Sequence, residues 1–568
     1  MIVSVASKKR NCGPKTRSGC HTCKIRRIKC DETRPKCLRC SKTGRKCDGY
    51  GLRNATVPAS NRQGLDDIQR LYIHTPGNSQ EKRAFQYFIN RTAVELSGFY
   101  SSPFWERLIL QASTKEPALR HAVIGIGALH EHYVNGTLNY DIDGQSPAFA
   151  VSQYTKAIGH LRKSLANGTQ APLTALMSCI LFVCFDSLRG YFTSAMVHLH
   201  GGLKILRDLR FDSSADTDII EENLGPLFSR LSLQSILYVE TTTTETRRDF
   251  AVQLSYIRLK DEEVHDTFET LEDARTCLNQ AVDGLFRVFY LCDGALPINQ
   301  QPRESYAMFA KYYTQLQAWN SAFENFMAAK SQALNGKELR GAAVLKIHAM
   351  IVKIMAEACP GIDDERSVGE VMSDYATFEP FINEFRIIVS LCRSVTAAIE
   401  QDIKLGKPAL NFSTDLGIVG PLYYVCCRCR DFPLRNQAMD LLRRYPRREG
   451  MWDSEVGVRM VKEFWALEER HMAFQKDSIE VLGINVPLVE VVDLVFTDEM
   501  RWEWIWKDPL KQLSRESSMD TLRSVGGWAD MVRNGVSYGS STKDKGLGAS
   551  FPDTFHFFKH DRNSSPSP

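Results

Sequence analysis

Six cysteines near the N-terminus are spaced as metal ligands. Residues 20–47 read CHTCKIRRIKCDETRPKCLRCSKTGRKC, with gaps of 2, 6, 6, 2 and 6 residues between successive cysteines. The last three follow the first three at an offset of 17 residues, so the segment repeats one Cys-x2-Cys-x6-Cys unit. A Cys-x2-Cys pair presents two thiolates on one turn, and a short helix returns a third thiolate to the same metal. The predicted ligands are Cys20, Cys23, Cys30, Cys37, Cys40 and Cys47.

The number of sulfurs predicts the number of metal ions. A structural zinc takes four ligands, so two zinc ions fill their coordination with six sulfurs only if two of the sulfurs bridge. Cys20 and Cys37, the first cysteines of the two copies, are the symmetric choice for the bridges. A single four-cysteine zinc site would leave two cysteines idle, and six unrelated core cysteines would not explain the repeat. Cys12 falls outside the repeat and is predicted to be a thiol rather than a ligand.

The charge is concentrated at the same end of the chain. Residues 1–53 contain sixteen Lys or Arg and three acids, a net charge of +13, whereas the remaining 515 residues carry −9. A short basic module on an acidic body indicates a polyanion partner, and nucleic acid is the commonest one. The sequence shows no apolar run of membrane-spanning length and no secretory signal, so we expect an intracellular protein with no membrane partner, whose thiols are available for metal.

The two copies differ in how well they could read DNA. Between Cys23 and Cys30 lies KIRRIK, whereas SKTGRK between Cys40 and Cys47 is broken by Gly44. The first helix is therefore predicted to enter the major groove of double-stranded DNA, with its arginine pair at base edges. That pair is Arg26 and Arg27; in the alternative reading it only neutralises phosphates. Phosphate contacts are predicted for Lys24, Lys29, Arg34, Lys36, Arg39, Lys42, Arg45 and Lys46.

This module resembles the fungal six-cysteine binuclear zinc cluster transcription factors. The resemblance extends to Arg17-Ser18-Gly19, Thr22-Cys23, Arg26-Arg27, Lys29-Cys30-Asp31-Glu32, Arg34-Pro35 and Gly49-Tyr50. It implies that the first and fourth cysteines bridge two zinc ions, that Pro35 turns the chain between the halves, and that Arg27 reads a guanine in a CGG-like triplet. It also implies a nuclear regulator of RNA polymerase II transcription, of a metabolic pathway or gene cluster, acting with the transcription machinery or co-regulators.

Composition divides the chain into five predicted segments. They are a basic tail at 1–16, the zinc cluster domain at 17–52, a linker at 53–80, an all-α regulatory domain at 81–535 and a disordered tail at 536–568. In the linker, Leu65, Ile68 and Tyr72 cover little more than one heptad, too short for a coiled coil. We therefore expect a monomer, or a dimer formed through the helical body.

The body shows the apolar periodicity of helices. Leu119, Val123, Ile126 and Leu129 fall on one stripe, which is typical of a core face. Segments within residues 104–207, among them FWERLILQASTKEPALRHAVIGIGALHE and ILFVCFDSLRGYFTSAMVHLHGGLKIL, resemble the fungal-specific regulatory domain. This resemblance implies a helical domain that receives a small-molecule effector or partner proteins. The alternating tryptophans at 502, 504 and 506 are compatible with a strand, a helical core or a partner-binding patch.

No enzyme motif is complete. His130 and His132 flank one residue instead of the three of a zincin, and Gly125-x-Gly127 lacks the third glycine and the preceding strand of a dinucleotide fold. Cysteines 426, 427 and 429 are predicted to be core thiols. A transcription factor without enzymatic activity is the prediction, and a metal- or redox-responsive interaction protein is the competing class. Zinc-dependent protein binding that survives replacement of the arginine pair would favour that competitor.

Overall fold

The structure is a computed structural model in which the chain forms two compact units, Met1–His74 and Thr75–Pro568. In the first unit it describes residues 22–23, 26, 28, 30–31, 33, 37–43 and 47. In the second it describes 77–136, 148–168, 171–209, 219–235, 264–292, 296–407, 409–482, 491–497 and 501–506. Most of the predicted linker and the whole predicted tail lie outside the described residues, so the predicted domain boundaries stay predictions.

Helices make up the first unit's regular structure and the first part of the body. The described part of the first unit contains α1 (Leu38–Lys42). The body continues with α2 (Ser79–Tyr87), α3 (Ala93–Leu96), α4 (Ile109–Lys115), α5 (Pro117–Val134), α6 (Ala148–Ala166), α7 (Pro172–Arg189), α8 (Phe192–Leu209) and α9 (Gly225–Ser235). π-Helical turns precede α3, α4 and α9 at Phe88–Thr92, Phe104–Leu108 and Ile220–Leu224.

The second part of the body is also mostly helical, which confirms the predicted fold class. Its helices are α10 (Leu271–Leu291), α11 (Arg303–Lys330), α12 (Gly336–Glu357), α13 (Val368–Ser373), α14 (Ile382–Lys404), α15 (Val419–Arg428), α16 (Phe432–Arg444) and α17 (Ser454–Leu482). Short 3-10 turns lie at Ile298–Gln300 and Tyr375–Phe381. The strands are β1 (Phe412–Ser413), β2 (Arg448–Glu449), β3 (Trp452–Asp453), β4 (Val491–Thr497) and β5 (Arg501–Trp506).

Local sequence signals fix where many of these helices begin and end. At α2, the Asn78 side chain accepts from the backbone N–H of Glu81, and the Glu81 carboxylate accepts from the backbone N–H of Asn78. Such a capping box satisfies donors that the first turn leaves without partners. Helix α7 starts with Pro172 and stops at Gly190, whose φ of 79° is the left-handed conformation that glycine adopts at low cost. Helix boundaries in the body thus follow from residues at the termini.

The apolar stripe predicted in the first part of the body lies in the core. Leu119, Val123, Ile126 and Leu129 are all 0% exposed in α5. This helix packs against α2, α6 and α7, while α7 also packs against α8. In the second part, α10 packs on α11 and α12, α12 on α14, and α15 on α16 and α17. The body is therefore built from stacked helices, each burying one apolar face.

The glycines of α5 serve helix packing. A Cβ atom on Gly127 would lie 2.3 Å from the Ala84 carbonyl oxygen in α2, and one on Gly125 would lie 3.2 Å from the Ala150 carbonyl oxygen in α6. No larger residue fits at position 127 without moving a backbone. The Gly-x-Gly sequence is thus explained by close helix crossings.

One helix is apolar enough to resemble a membrane span. Pro172–Arg189, which is α7, has a mean hydropathy of 1.5, and 83% of its residues are buried inside the body. A central core helix has this same composition, because its whole surface faces other helices. Its packing against α5 and α8 identifies it as such a core helix.

A small three-stranded sheet joins distant parts of the body. Strand β1 pairs in parallel with β2, and β2 pairs antiparallel with β3. Arg448 in β2 is 2% exposed, donates through Nε to the Asp453 carboxylate at 2.7 Å, and donates through Nη1 to the carbonyl of Ser187 at 3.0 Å and to that of Leu188. It therefore ties the sheet to the C-terminal end of α7.

Glu449, the next residue in β2, holds the start of α15. Its carboxylate accepts from the backbone N–H groups of Gly417, Ile418 and Val419 at 2.9, 3.1 and 2.9 Å. Arg447 pairs with the same carboxylate, its Nε lying 2.8 Å from Glu449 Oε1, and both side chains are buried. A buried charge thus satisfies a helix terminus and is itself neutralised.

The alternating tryptophans belong to a strand. Strand β5 pairs antiparallel with β4, with Val491 opposite Trp506 and Thr497 opposite Arg501. Of the three interpretations that the sequence left open, the backbone therefore favours the strand.

Candidate metal centre and nucleic-acid interface

Cysteine sulfurs from both halves of the repeat come together in the first unit. Cys23, Cys30, Cys37 and Cys40 are buried in one cluster, and Cys47 packs against them. The Cys23 sulfur lies 3.7 Å from that of Cys37 and 3.8 Å from that of Cys40. Residues 14 and 17 positions apart are thereby brought into contact. The sixth predicted ligand, Cys20, lies outside the described residues.

These separations fit shared coordination of zinc. Zinc–sulfur bonds of about 2.3 Å at a tetrahedral angle place two sulfurs about 3.8 Å apart. The sulfurs of Cys23, Cys37 and Cys40 all lie within 4.8 Å of one another, and they form the one group of three or more candidate metal ligands found among the described residues. Thiolates are the donors that structural zinc prefers. The residues present therefore suit the metal that the spacing predicts.

Cys37 contacts both halves of the module. Its sulfur approaches Cys23 of the first half, and it also accepts from the backbone N–H of Cys40 at 3.3 Å. Its own N–H donates to the Cys47 sulfur at 3.5 Å. Cys37 is thus the N-cap of α1. This central position is what a bridging sulfur would need, although the assignment of the bridges stays a prediction.

An aspartate that the sequence reasoning did not single out also links the halves. The Asp31 carboxylate accepts from the backbone N–H of Leu38 at 3.0 Å and from that of Arg39 at 2.7 Å, at the start of α1. It accepts as well from the Thr33 hydroxyl at 2.5 Å. The hydrogen bond from Thr33, together with those from Arg39 and Leu38, holds the pKa of Asp31 well below its usual range. In the sequence, the only feature that could have indicated this capping role of Asp31 is its position directly after Cys30.

Three of the predicted DNA-contacting residues are described. The backbone N–H of Arg26 donates to the Thr22 carbonyl at 3.2 Å, which is one helical turn around Cys23. Its guanidinium Nη1 lies 3.4 Å from the Thr43 hydroxyl, in the other half. Arg39 and Lys42 are exposed on α1, which ends at Lys42, two residues before Gly44. Outside the described residues lie Lys24, Arg27, Lys29, Arg34, Pro35, Lys36, Arg45 and Lys46.

The cysteines and histidines of the body have structural surroundings. Cys426, Cys427 and Cys429 are at most 1% exposed, and burial raises the pKa of the Cys426 and Cys429 thiols. His130 is fully buried, with Nδ1 3.0 Å from the Thr92 hydroxyl and Nε2 3.6 Å from the Glu95 carboxylate. These thiols are thus core thiols, as predicted.

Two known domain families match the chain. The Fungal Zn(2)-Cys(6) binuclear cluster domain matches residues 18–54, which contain all six cysteines of the repeat. The Fungal specific transcription factor domain matches residues 83–265, from α2 past the end of α9. The cluster of the first family holds two zinc ions, so the two-zinc prediction is confirmed.

Curated relatives are fungal transcription regulators. The chain is 26% identical over 565 residues to the aspercryptin biosynthesis cluster-specific transcription regulator atnN of Emericella nidulans, which covers 80% of this chain and 88% of that protein. It is 29% identical over 217 residues to transcription regulator lscL of Purpureocillium lilacinum, covering 34% of this chain and 49% of that protein. It is 64% identical over 61 residues to transcriptional regulatory protein moc3 of Schizosaccharomyces pombe, 11% of each chain.

No solved structure matches the chain.

Four observations point to the same class of protein. They are the thiol cluster, the basic residues around it, the two matched domains, and the regulators that resemble the chain over most of its length. The chain therefore carries the two domains that mark fungal Zn(2)-Cys(6) transcription regulators, and it is a zinc-dependent, DNA-binding regulator of transcription.

Proposed function

We propose that the zinc module reads a CGG-like triplet in the major groove, with Arg27 as the residue that recognises a guanine. The observation that carries this proposal is the buried cluster of Cys23, Cys37 and Cys40, whose sulfur separations fit metal coordination. A metal centre at this point fixes the helical turn that begins at Thr22 and that the backbone N–H of Arg26 closes. Arg27 is the next residue in the sequence. An arginine held rigidly can donate two parallel hydrogen bonds to guanine O6 and N7.

Arg26 has a different role in this proposal. Its guanidinium lies 3.4 Å from the Thr43 hydroxyl, so it spans the gap between the two halves of the module. A side chain used in this way is less available to a base edge. Arg26 therefore supports the orientation of the first helix, and Arg27 carries the sequence specificity.

The exposed basic residues supply affinity without specificity. Arg39 and Lys42 project from the outside of α1, where neither is buried. Contacts from such residues to phosphates position a protein on DNA and release counterions, which makes binding depend steeply on salt. The basic residues at 24, 29, 34, 36, 45 and 46 lie outside the described residues, and their phosphate contacts remain predictions from the sequence.

The wider role follows from the relatives. Because the aligned regulator atnN serves a biosynthesis cluster, we infer that this chain controls RNA polymerase II transcription of a biosynthetic gene cluster, in the nucleus. The helical body acts as a regulatory rather than a catalytic domain. It receives co-regulators or an effector and provides any dimer contact, since the linker sequence predicts no coiled coil.

The test is a comparison of two single substitutions in the full-length, zinc-loaded protein. Fluorescence anisotropy measures binding to a duplex with the CGG triplet and to one in which a G·C pair is replaced. Arg27→Ala should remove a preference of about 1 to 3 kcal/mol for the triplet. Lys42→Ala should weaken binding to both duplexes alike and reduce the salt slope by about one. A triplet preference that survives Arg27→Ala would overturn the assignment.

A further inference from the structure

A cavity lies inside the helical body, between helices of its two parts. Its volume is about 130 Å³, and an apolar cavity of roughly 150 Å³ is large enough to hold benzene. Most of its wall is apolar, contributed by α10, α12 and β3. Representative wall residues are Leu278, Val282, Val344, Ile351 and Trp452. The cavity therefore suits a ligand body about the size of one ring.

One end of the cavity is charged. Arg230 of α9, Arg275 of α10 and Asp415, which precedes α15, all line it. Arg230 Nε donates to one oxygen of the Asp415 carboxylate at 2.7 Å, and Arg275 Nη1 donates to the other oxygen at 2.7 Å. Residues up to 185 positions apart thus form one buried cluster.

The two arginines differ in how many of their donors are used. Arg275 also donates to the Glu272 carboxylate through Nε and Nη2, at 3.2 and 2.6 Å, and its guanidinium stacks 4.4 Å from the centre of the Tyr100 ring. Within the described part of the chain, Arg230 donates through Nε alone, and no residue there accepts a hydrogen bond from its two terminal nitrogens. Its side chain is only 12% exposed, so these donors belong to the cavity wall rather than to bulk solvent.

The histidine in the cavity wall adds no charge to this cluster. His348, which also lines the cavity, lies with Nε2 2.7 Å from the Gly417 carbonyl oxygen, so Nε2 carries a proton. Burial lowers the pKa of His348, which keeps the ring neutral near pH 7. Burial also lowers the pKa of Arg230, since Asp415 only partly compensates its desolvated charge. A second acceptor would stabilise the guanidinium further.

We propose that this cavity binds a small organic carboxylate with an apolar body about the size of one ring, and that Arg230 holds the carboxylate. A carboxylate accepts two parallel hydrogen bonds from one guanidinium, the geometry that the two terminal nitrogens of arginine offer. The apolar part of the ligand packs between α10 and α12. No residue of the zinc module contributes, so this inference does not rest on how the protein reads DNA.

The preference for an anion comes from the orientation of the hydrogen-bond donors rather than from an excess of positive charge. Arg230 and Arg275 face two carboxylates, those of Asp415 and Glu272, so the cluster is formally neutral. Glu272 is 47% exposed and pairs with Arg275 at the outer side. The ligand must therefore be recognised by the unused donors of Arg230, and a neutral molecule of the same shape should bind less well.

The experiment compares an acid with its amide. Full-length zinc-loaded protein is titrated with 3-phenylpropanoate and with 3-phenylpropanamide, and binding is followed by isothermal calorimetry and by the fluorescence of the protein. We expect the acid to bind about tenfold more tightly than the amide, because charge-assisted hydrogen bonds are the stronger ones. Arg230→Gln should abolish this preference, while Arg107→Gln, at an exposed position, should leave it unchanged.

A second variant keeps the test decisive if Arg230→Gln does not fold. Val282→Phe places a larger side chain in the cavity and leaves every residue of the charged cluster unsubstituted, and it should abolish binding of both compounds. Absence of saturable acid binding at millimolar concentration would overturn the proposal. So would equal binding of acid and amide, a preference that survives Arg230→Gln, or unchanged binding in Val282→Phe.

Discussion

Replacing Glu449 with glutamine should destabilise the body strongly. The Glu449 side chain is 1% exposed, accepts three backbone N–H bonds at the start of α15, and pairs with Arg447, whose side chain is 7% exposed. Glutamine has nearly the same shape but replaces one carboxylate oxygen by an amide NH2 group. That NH2 group would face N–H donors in either orientation, and Arg447 would lose its counter-charge.

The size of the effect follows from the burial of both charges. Removing one partner of a buried ion pair costs about 3 to 5 kcal/mol, because the other charge stays desolvated and uncompensated. Urea-induced unfolding of the full-length protein, followed by far-UV circular dichroism, should therefore show a free energy of unfolding that is lower by about this amount. Glu379→Gln, at an exposed glutamate, is the matched control and should change it by no more than about 0.5 kcal/mol.

A double substitution separates the ion pair from the hydrogen bonds. Arg447→Met removes the other partner, so Arg447→Met combined with Glu449→Gln should cost less than the sum of the two single changes. Two results would refute the reasoning. One is a Glu449→Gln variant as stable as the Glu379→Gln control, and the other is a double variant whose loss equals the sum of the single losses.

Three further predictions test other parts of the molecule. Gly127→Ala should lower the free energy of unfolding by about 1 to 3 kcal/mol because the new Cβ would meet the Ala84 carbonyl, whereas Gly159→Ala, with open space around it, should not lower it. Equal urea midpoints of unfolding for the two variants would contradict this. Burial raises the pKa of Asp186, so its contribution to stability is present at acidic pH and declines as pH rises above about 4. Asp186→Asn should therefore gain stability relative to the parent between pH 4.5 and 7.5 in urea titrations, and a constant difference would refute the argument. Zinc removal by a chelator should abolish triplet-specific binding in anisotropy while the urea unfolding of the body stays unchanged, and parallel loss of both would show that the body depends on the metal.

Local patterns were enough to predict the metal centre and the helices. Each Cys-x2-Cys pair of the repeat encodes geometry within a single turn, and six sulfurs can complete the coordination of two zinc ions if two of them bridge, so two zinc ions could be inferred from the sequence. The apolar stripe through Leu119 and Val123 likewise predicts that these residues are buried, since helical periodicity can be read from residues three and four positions apart.

Contacts between distant segments could not be predicted in this way. Asp31 caps α1 across the two halves of the module by accepting from N–H groups seven and eight residues later, and no helical or turn pattern around Asp31 specifies these partners. The cluster of Arg230, Arg275 and Asp415 joins residues that are 140 and 185 positions apart. Such clusters depend on how distant helices pack against one another. This packing cannot be read from one sequence, so the clusters become visible only in the three-dimensional structure.

The hydrogen bonds from Arg448 to the end of α7 limit where the protein can be truncated. The matched regulatory family stops at residue 265, yet the carbonyls of Ser187 and Leu188 are satisfied by a side chain some 260 residues later. The indole of Trp105 likewise donates to the Thr414 hydroxyl. A polypeptide truncated near residue 265 would lose these partners and uncover the surface they shield. The homology boundary therefore falls inside one compact unit, and a fragment that keeps these contacts must extend at least through Arg448.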